Sequence, residues 1–588
     1  MGTSVSVEDV EPFTSADGSR SLRSARYGEP YRSHHGARSE SWHVFVAGSG
    51  VAARLAAGQP TEVLELGLGS ARNLAASAGV ALAFGTPLHY VALEHDVPSV
   101  AAWASQEPDA LGPPAFRAAL LAARARWDVR PGSRCELTLG PVRFELRIGD
   151  AASLPWPEPY DAIYLDGFSP AVNPEMWSDA VLARVAAGLR PGGTAVSYCV
   201  QGRVRRSLAA AGLRVEKRAG PPGGKREVLW ARRPHVGGES TGTAGESLAG
   251  RRLAVLGGGV AGSSLALAAA EAGAHVHLLD AGDGMAAASG VPAALVNPYR
   301  GRSGRANPDD RRGARATWRR AAALHAAGFD PGAHPTAVVR VADQARQARA
   351  WQEREGAVAF GPEPEPSTGR WRAPHGGMLV PSGGWIDPPR WLSALRSAAA
   401  ASGASWRPQT PVRALEPTTA GAWRLLGPDL EGDTQGPFDL IALCLGASAP
   451  GALPHLPVTA LPGAVALLPG HAPARPLAGA VYAAPVGSPL RYGLDPRRAW
   501  LAVGGGNPAV ADDDGERLRS ALERSLPGEA APLQATWRGL RARGPDPQPQ
   551  VVGLLPGVWW FGAFGGRGFL RAALEAERLV ARWARGER

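Results

Sequence analysis

The chain has 588 residues, enough for several domains with substantial cores. Apolar residues make up 45% and charged residues 20%, as in soluble globular proteins, which excludes a chain that is disordered throughout. No stretch approaches the ~20 apolar residues of a membrane span, and the N-terminus lacks the apolar core of a secretory signal. The three widely spaced cysteines argue against a disulfide framework, and we expect no metal site.

The formal net charge of +10 favours a polyanionic partner such as nucleic acid. The high content of glycine, alanine, proline and arginine also fits a coding bias that raises arginine without functional consequence. Charge alone therefore leaves nucleic-acid binding open.

Two glycine-rich loops, each preceded by an apolar strand, divide the chain. They lie in residues 61–75 and 251–280. Between them, residues 234–250 are rich in Gly, Ser and Thr and predict a flexible linker. We therefore expect one domain over 1–233 and a second over 251–588.

In the first half, apolar strands alternate with alanine-rich helical stretches. The alternation predicts an α/β domain with a parallel sheet. The segment 214–232 predicts two antiparallel strands around a Pro-Gly loop, at the end of that sheet. The predicted strands are 63–67, 89–94, 160–168 and 193–199, and the predicted helices are 74–83 and 176–189.

A nucleoside cofactor is indicated in the first half. Gly67 and Gly69 directly follow a predicted strand, where glycine allows a tight turn and close approach to a ligand. Glu94, Asp150 and Asp166 end successive strands, as in the ligand crevice of an open α/β sheet. No lysine follows the loop, which disfavours triphosphates, and S-adenosylmethionine fits best. The alternative is that these acids form strand-end turns and helix caps.

The sequence Asp-Gly-Phe-Ser-Pro over 166–170 looks suited to methyl transfer to nitrogen. Most of that barrier is orientation, and a strand-end carboxylate followed by a ring supplies an acceptor and a stacking surface. We expect catalytic roles for Asp166 and Phe168. The alternatives are a turn cap for Asp166 and core packing for Phe168.

The sequence DGFSPAVNPEMWSDAVLARVAAGLRPGGTAVSY (166–198), with ELGLGSARNL (65–74) and 204–229, closely resembles the methyltransferase domain of the MnmC family of bifunctional tRNA wobble-uridine-modifying enzymes. The resemblance implies a Rossmann-like fold and methylation of 5-aminomethyl-2-thiouridine in the anticodon stem-loop. It also implies that Glu65 belongs to the cofactor site. Ala71 stands where that family has a third glycine.

A basic segment follows in the predicted hairpin. Lys217, Arg218, Lys225 and Arg226 correspond to basic positions of the same family, which implies contact with tRNA. From the residues alone, the segment suits phosphate contacts or is an ordinary solvated hairpin.

The second half opens with a dinucleotide-binding pattern. Gly257, Gly259 and Gly262 follow a strand and open a helix, and Asp280 ends the next strand. Further predicted strands are 336–342, 438–446, 498–506 and 557–565, and 567–584 predicts a closing helix.

Residues 287–298, 438–447 and 562–581 resemble the flavin-contacting segments of the D-amino-acid-oxidase superfamily, and 380–395 resembles the MnmC family. The resemblance implies an FAD-binding βαβ domain with an inserted mixed-sheet substrate subdomain. Flavin-side residues would be Ser289, Gly566, Arg567 and Gly568. It also implies removal of the carboxymethyl group of 5-carboxymethylaminomethyl-2-thiouridine. The segments 294–298 and 541–553 depart from the family pattern.

A substrate carboxylate needs a cation. We expect Arg567 first, with Arg541 and Arg491 as further candidates. Two alternatives stay open at this point: an oxidase of free amino acids fused to an unrelated methyltransferase, and a tRNA-binding methyltransferase with a silent flavin domain. In each case we expect a cytoplasmic monomer.

Overall fold

A computed structural model describes residues 10–14, 20–31, 40–106, 110–156, 159–220, 227–234, 247–362, 371–453, 456–470, 475–479, 481–505, 513–525, 530–546 and 548–587. Two short strands, Val10–Thr14 and Arg20–Ser24, pair as a hairpin at the N-terminus. A single π-helical turn, Ser41–Val46, precedes the first α-helix. Of the predicted linker, residues 235–246 lie outside the described part.

Eight strands of the described first half form one sheet. Its five central strands are mutually parallel, and antiparallel strands complete both edges. The predicted parallel sheet and its antiparallel end are confirmed. Side by side, the strands are Arg134–Leu139, Val142–Ile148, Leu88–Glu94, Thr61–Leu66, Tyr160–Leu165, Leu189–Ser197, Glu227–Arg232 and Arg214–Ala219.

The α-helices of the first half pack on the faces of this sheet. The predicted helix over 176–189 is divided into a 3₁₀ turn, Glu175–Trp177, and a helix that restarts at Asp179. The division arises because the Ser178 hydroxyl accepts a hydrogen bond from the Val181 amide, as an N-cap does. The α-helices are Val51–Ala56, Arg72–Phe84, Val100–Ala104, Pro114–Arg124, Asp179–Gly188 and Gly202–Ala210.

The second half has a six-stranded sheet in its described residues. Five strands are parallel and the last is antiparallel. The nearly continuous apolar runs of its central strands fit a sheet covered on both faces. In order, the strands are Ser405–Arg407, His275–Leu279, Arg252–Leu256, Leu440–Leu443, Val558–Gly562 and Gln550–Leu555.

A second, mixed sheet of eight described strands forms the inserted subdomain. In order they are Val358–Phe360, Gly377–Val380, Val338–Val341, Leu477–Ala478, Val481–Pro485, Trp500–Gly505, Thr459–Pro469 and Ala535–Arg543. Smaller sheets comprise Ala294–Val296 with Gly384–Ile386 and Ala333–His334, Tyr299–Arg300 with Arg305–Ala306, and Ala414–Pro417 with Trp423–Leu426. The α-helices are Val260–Glu271, Pro308–Ala326, Ala345–Trp351, Pro388–Ala401, Ala449–Ala452, Asp514–Ser525 and Gly568–Ala584.

The two halves share buried contacts. Ala53 and Ala56, on the first helix, belong to the same apolar cluster as Trp318 and Leu324 of the second half. This contact joins the two cores directly.

A partly buried hydrogen bond also crosses between the halves. The indole nitrogen of Trp42 donates to Nδ1 of His334 at 3.2 Å. Because an indole N–H can only donate, the neutral imidazole carries its proton on Nε2. Burial lowers the pKa of His334 well below its usual value.

Candidate active sites

The first glycine loop packs closely against the strand end that carries Asp166. Gly67 and Gly69 adopt positive φ values of 91° and 48°. A Cβ at Gly67 would lie 2.8 Å from the backbone oxygen of Asp166, so glycine is required there. Ala71, in place of the family's third glycine, is fully buried at a φ of 58°. The loop therefore keeps a left-handed residue at this point without a glycine.

Two of the predicted strand-end acids contact backbone amides. The Glu94 carboxylate accepts from the amide of Gly69 at 2.9 Å and from the amide of His95 at 2.8 Å. Asp150 is exposed and accepts from the amide of Ala152 at 2.9 Å. Glu94 thus lies at the glycine loop, whereas Asp150 shapes the turn after its strand. Cofactor contact by either residue stays a prediction.

Asp166 is held by Asn73, a residue of the quoted loop sequence for which no role was predicted. Nδ2 of Asn73 donates to Oδ2 of Asp166 and to Oε1 of Glu65, each at 2.7 Å. Glu65 is fully buried and also accepts from the hydroxyl of Tyr90 at 2.8 Å. Burial, followed by the charge of Glu65, raises the pKa of Tyr90 well above its usual value. Glu65 therefore anchors Asn73, which in turn orients Asp166.

The Phe168 ring is covered by the N-terminal segment. Tyr27 stacks on it with ring centroids 4.5 Å apart, and Tyr31 lies at 5.1 Å. The indole nitrogen of Trp177 donates to the backbone oxygen of Phe168 at 2.8 Å. The two tyrosines lie more than 130 residues away in sequence, and no motif in the sequence indicated them.

The second glycine loop has the geometry of a dinucleotide cradle. Gly257 has a φ of 111°, and a Cβ there would overlap the backbone oxygen of Cys444. A Cβ at Gly259 would lie 2.8 Å from Oγ of Ser289, and this oxygen accepts from the amide of Val260 at 3.0 Å. A Cβ at Gly262 would overlap the oxygen of Gly257, which keeps helix and loop in close contact. The loop backbone thus leaves room at a helix N-terminus, and these residues fit the pyrophosphate of FAD.

Asp280 contacts this loop with one carboxylate oxygen and its own following turn with the other. The two oxygens accept from the amides of Gly258 at 2.6 Å and Gly282 at 2.7 Å. The guanidinium of Arg396 lies 4.3 Å from the ring centroid of Trp406, and its Nη2 donates to the oxygen of Gly258. Neither Arg396 nor Trp406 was predicted, because sequence spacing does not show that they meet at the loop.

Several arginines gather beside the predicted flavin loop. Nη2 of Arg300 donates to the backbone oxygen of Gly566 at 2.6 Å, and a Cβ at Gly566 would lie 3.7 Å from Nη1 of Arg541. Burial, and then the nearby charge of Arg567, lower the pKa of Arg300 to about 10. Arg300 therefore joins the predicted residues Gly566, Arg567, Gly568 and Arg541 in one cluster, although no motif in the sequence indicated it.

The other predicted carboxylate ligands are already paired. Nε of Arg567 lies 3.2 Å from Oδ2 of the buried Asp310. Arg491 forms an ion pair with Asp283. These pairs make Arg300 and Arg541 the better placed cations for an incoming anion.

The predicted basic segment is only partly described. Nζ of Lys217 lies 2.8 Å from Oε2 of Glu227, and its side chain is 39% exposed. Arg218 lies 3.5 Å from the ring centroid of Trp230 and donates to the oxygen of Gly328 in the second half. It therefore packs between the halves rather than facing a phosphate. Lys225 and Arg226 lie outside the described residues.

The described residues contain no helix that is both long and apolar enough to cross a bilayer. They also contain no group of three or more His, Cys, Asp or Glu side chains arranged to hold a metal ion.

Each half of the chain matches a different family of enzymes. Residues 252–583 match the FAD-dependent oxidoreductase family, and residues 115–234 match an S-adenosyl-L-methionine-dependent methyltransferase family. These matches confirm the predicted fold class and both predicted cofactors, FAD and S-adenosylmethionine.

Relatives that match over both halves define the family more closely. The tRNA 5-methylaminomethyl-2-thiouridine biosynthesis bifunctional protein MnmC of Caulobacter sp. (strain K31) is 34% identical over 95% of this chain and 92% of that protein. MnmC of Azoarcus sp. (strain BH72) is 32% identical over 98% and 93%. The chain belongs to the MnmC family of bifunctional proteins. Among solved structures, glycine oxidase from Geobacillus kaustophilus covers 57% of this chain and 96% of its own, with 20% identity and a TM-score of 0.46.

Proposed function

We propose that this protein performs two successive reactions at the wobble uridine of tRNA. The oxidoreductase half removes the carboxymethyl group of 5-carboxymethylaminomethyl-2-thiouridine and leaves the aminomethyl base. The methyltransferase half then methylates that amine. The final product, 5-methylaminomethyl-2-thiouridine, is the nucleoside in the printed names of the relatives. Membership of that family favours this function over the two alternatives.

The observation that carries the methyl-transfer half is the hydrogen bond from Asn73 to Asp166. In the proposed reaction the amine lone pair forms a bond to the methyl carbon while the carbon–sulfur bond breaks. The amine then holds one proton too many, and we assign the acceptance of that proton to the Asp166 carboxylate. Since Asn73 fixes the Asp166 carboxylate, the acceptor stays in one orientation during transfer.

The oxidoreductase half needs to hold a substrate that carries a carboxylate. Bound FAD would accept the hydride that leaves the carbon next to nitrogen, and water would then hydrolyse the resulting substrate imine to the aminomethyl base and glyoxylate. We assign the carboxylate to Arg300 and Arg541, which both lie at Gly566. With a pKa of about 10, Arg300 remains a cation at neutral pH. Two cations beside one loop would select the carboxymethyl form over the aminomethyl product.

Contact with tRNA is assigned to the basic segment that includes Lys217, Lys225 and Arg226. Lys217 is exposed and its partner Glu227 is also on the surface, so a phosphate can replace that weak pair. The proposal includes a cytoplasmic, monomeric enzyme, in the compartment where tRNA is used.

The test uses purified protein and tRNA that carries 5-carboxymethylaminomethyl-2-thiouridine, followed by mass analysis of the nucleosides. Without S-adenosylmethionine, we expect conversion to stop at the aminomethyl base. With it, we expect the methylaminomethyl base. Unchanged tRNA together with oxidation of free glycine or sarcosine would contradict the proposal.

A further inference from the structure

The N-terminal strap, residues 22–31, is a turn that holds its own shape. The amide of Tyr31 donates to the oxygen of Leu22 at 2.9 Å, and the amide of Ser24 donates to the oxygen of Glu29 at 3.0 Å. The amide of Gly28 closes the turn on the oxygen of Ser24 at 3.0 Å. The strap therefore meets the rest of the first half as a preformed unit.

This strap is tied to two different strand ends of the first sheet. Arg26 forms an ion pair with Asp96, just beyond the strand that ends at Glu94. The Glu29 carboxylate accepts from the backbone amide of Ser169 at 2.9 Å and from its hydroxyl at 2.6 Å. The strap thus runs across the carboxyl ends of the strands, from the loop after Glu94 to the loop after Asp166.

Tyr31 touches both functional loops at once. A Cβ on Gly69 would lie 2.5 Å from Cδ1 of Tyr31, so the ring rests on the backbone of the cofactor loop. The same ring lies 5.1 Å from Phe168, at an interplanar angle of 56°. Tyr27 stacks on Phe168 as well, at 4.5 Å and 28°. Of the two functional loops, the Tyr27 ring stacks on the loop that carries Asp166 and Phe168. Tyr27 is therefore a suitable comparison for Tyr31, whose ring contacts both loops.

We infer that Tyr31 is a positioning residue of methyl transfer. Its ring fixes the distance between the loop that holds S-adenosylmethionine and the loop that carries Asp166 and Phe168. Methyl transfer depends chiefly on alignment, and a displacement of ~1 Å can cost about 10²-fold in rate. This inference rests on the methyl-transfer function proposed above.

The test compares the variants Tyr31→Ala, Tyr31→Phe and Tyr27→Ala. Two quantities are measured: S-adenosylmethionine affinity by calorimetry, and kcat and KM for methylation of tRNA that carries the aminomethyl base. Tyr31→Ala should weaken the cofactor affinity and lower kcat by about tenfold or more. Tyr31→Phe should restore most of both, since the contacts involve the ring. Tyr27→Ala should lower kcat but leave the cofactor affinity close to that of the unaltered protein.

The flavin reaction of the same preparation is the control for folding. If Tyr31→Ala does not fold, Tyr31→Leu replaces it in the comparison. Unchanged affinity and kcat in Tyr31→Ala would overturn the inference. So would an equal loss of the flavin reaction, which indicates a merely structural role. Failure of the unaltered protein to methylate aminomethyl tRNA would contradict the proposed function instead. In that case, equal cofactor affinities in Tyr31→Ala and Tyr27→Ala would still overturn the role of Tyr31, and weaker affinity in Tyr31→Ala alone would support it.

Discussion

A single nitrogen of Asn73 holds the carboxylate of Asp166, at 2.7 Å from its Oδ2. The same nitrogen is bound to the fully buried Glu65, so the position of Asp166 depends on a residue inside the sheet. Glu65 is fixed in turn by the hydroxyl of Tyr90. Asp166 is therefore the half-buried end of a hydrogen-bonded chain that begins inside the sheet.

The first prediction concerns Asp166 itself. Asp166→Asn keeps the shape of the side chain but removes the negative charge that accepts a proton. We expect methylation to fall at least about tenfold, or roughly 1.4 kcal/mol of transition-state stabilisation. The flavin reaction should stay unchanged. Near-normal methylation would reduce Asp166 to a turn-forming role.

The second prediction concerns Asn73. Asn73→Ala should lower methylation because Asp166 loses the donor that orients it. In the double variant Asn73→Ala with Asp166→Asn, the loss should be smaller than the sum of the single losses, in free-energy terms. Methylation rates of the four proteins make the comparison. Strict additivity would show that Asn73 does not act through Asp166.

The third prediction concerns FAD. Gly259→Val should abolish flavin binding, because its side chain would enter the space beside Ser289 that the pyrophosphate needs. The absorbance spectrum of the purified protein measures bound flavin directly. Methylation of aminomethyl tRNA by the same variant reports on folding of the first half. A variant that retained flavin would contradict the cofactor assignment at this loop.

The fourth prediction concerns Arg300. Arg300→Gln should raise KM for carboxymethylaminomethyl tRNA about tenfold, or ~1.4 kcal/mol, while bound flavin is retained. The matched control is Arg497→Gln, whose arginine is 84% exposed and pairs with Asp495 on the surface. Equal kinetics in the two variants would remove Arg300 from the substrate site.

The fifth prediction concerns the acid stability of the contact between the halves. In addition to His334, this contact includes His325, whose ring lies 6.3 Å from that of Trp230 in the first half. Burial lowers the pKa of His325 to about 3 and that of His334 well below its usual value. Below pH 6.5 these histidines bind protons in the unfolded chain but not in the folded protein. As the pH falls, the free energy of unfolding therefore decreases by up to about 1.4 kcal/mol for each pH unit and for each of the two histidines. Asp387 has the opposite effect, because burial raises its pKa to about 6. As the pH falls from 6 to 4, this carboxylate binds a proton in the folded protein before it does so in the unfolded chain, which stabilises the folded protein. Because two histidines oppose one aspartate, we expect the free energy of unfolding to decrease overall as the pH falls from 6.5 to 4.

Denaturant unfolding at several pH values measures this loss. His325→Phe should flatten the dependence between pH 6.5 and 4, whereas His375→Gln, at an exposed position, should leave it unchanged. The idea fails if the two variants show the same slope.

The sequence predicted the elements that carry local patterns. The glycine loops, the strand ends at Glu94 and Asp166, and Asp280 all lie where the alternating strands and helices placed them. Asn73 was within a quoted motif, but only the fold shows that its amide points to Asp166. Tyr27, Tyr31, Arg300 and Trp406 reach their loops through long-range packing, which a single sequence does not encode in spacing. For Arg218 the sequence left phosphate contact and an ordinary solvated hairpin both open, and the fold stacks it on Trp230.

The apolar cluster that includes Ala53 and Trp318 has a consequence for the order of events on the RNA. Because side chains of both halves pack in this cluster, a swing of one half toward the other would expose apolar surface, and we expect the wobble base itself to travel between the two sites. An aminomethyl intermediate in transit is open to release and to competition from other tRNA molecules. The balance of modified bases in a cell would then follow the relative speeds of the two reactions, rather than a direct handover inside one enzyme.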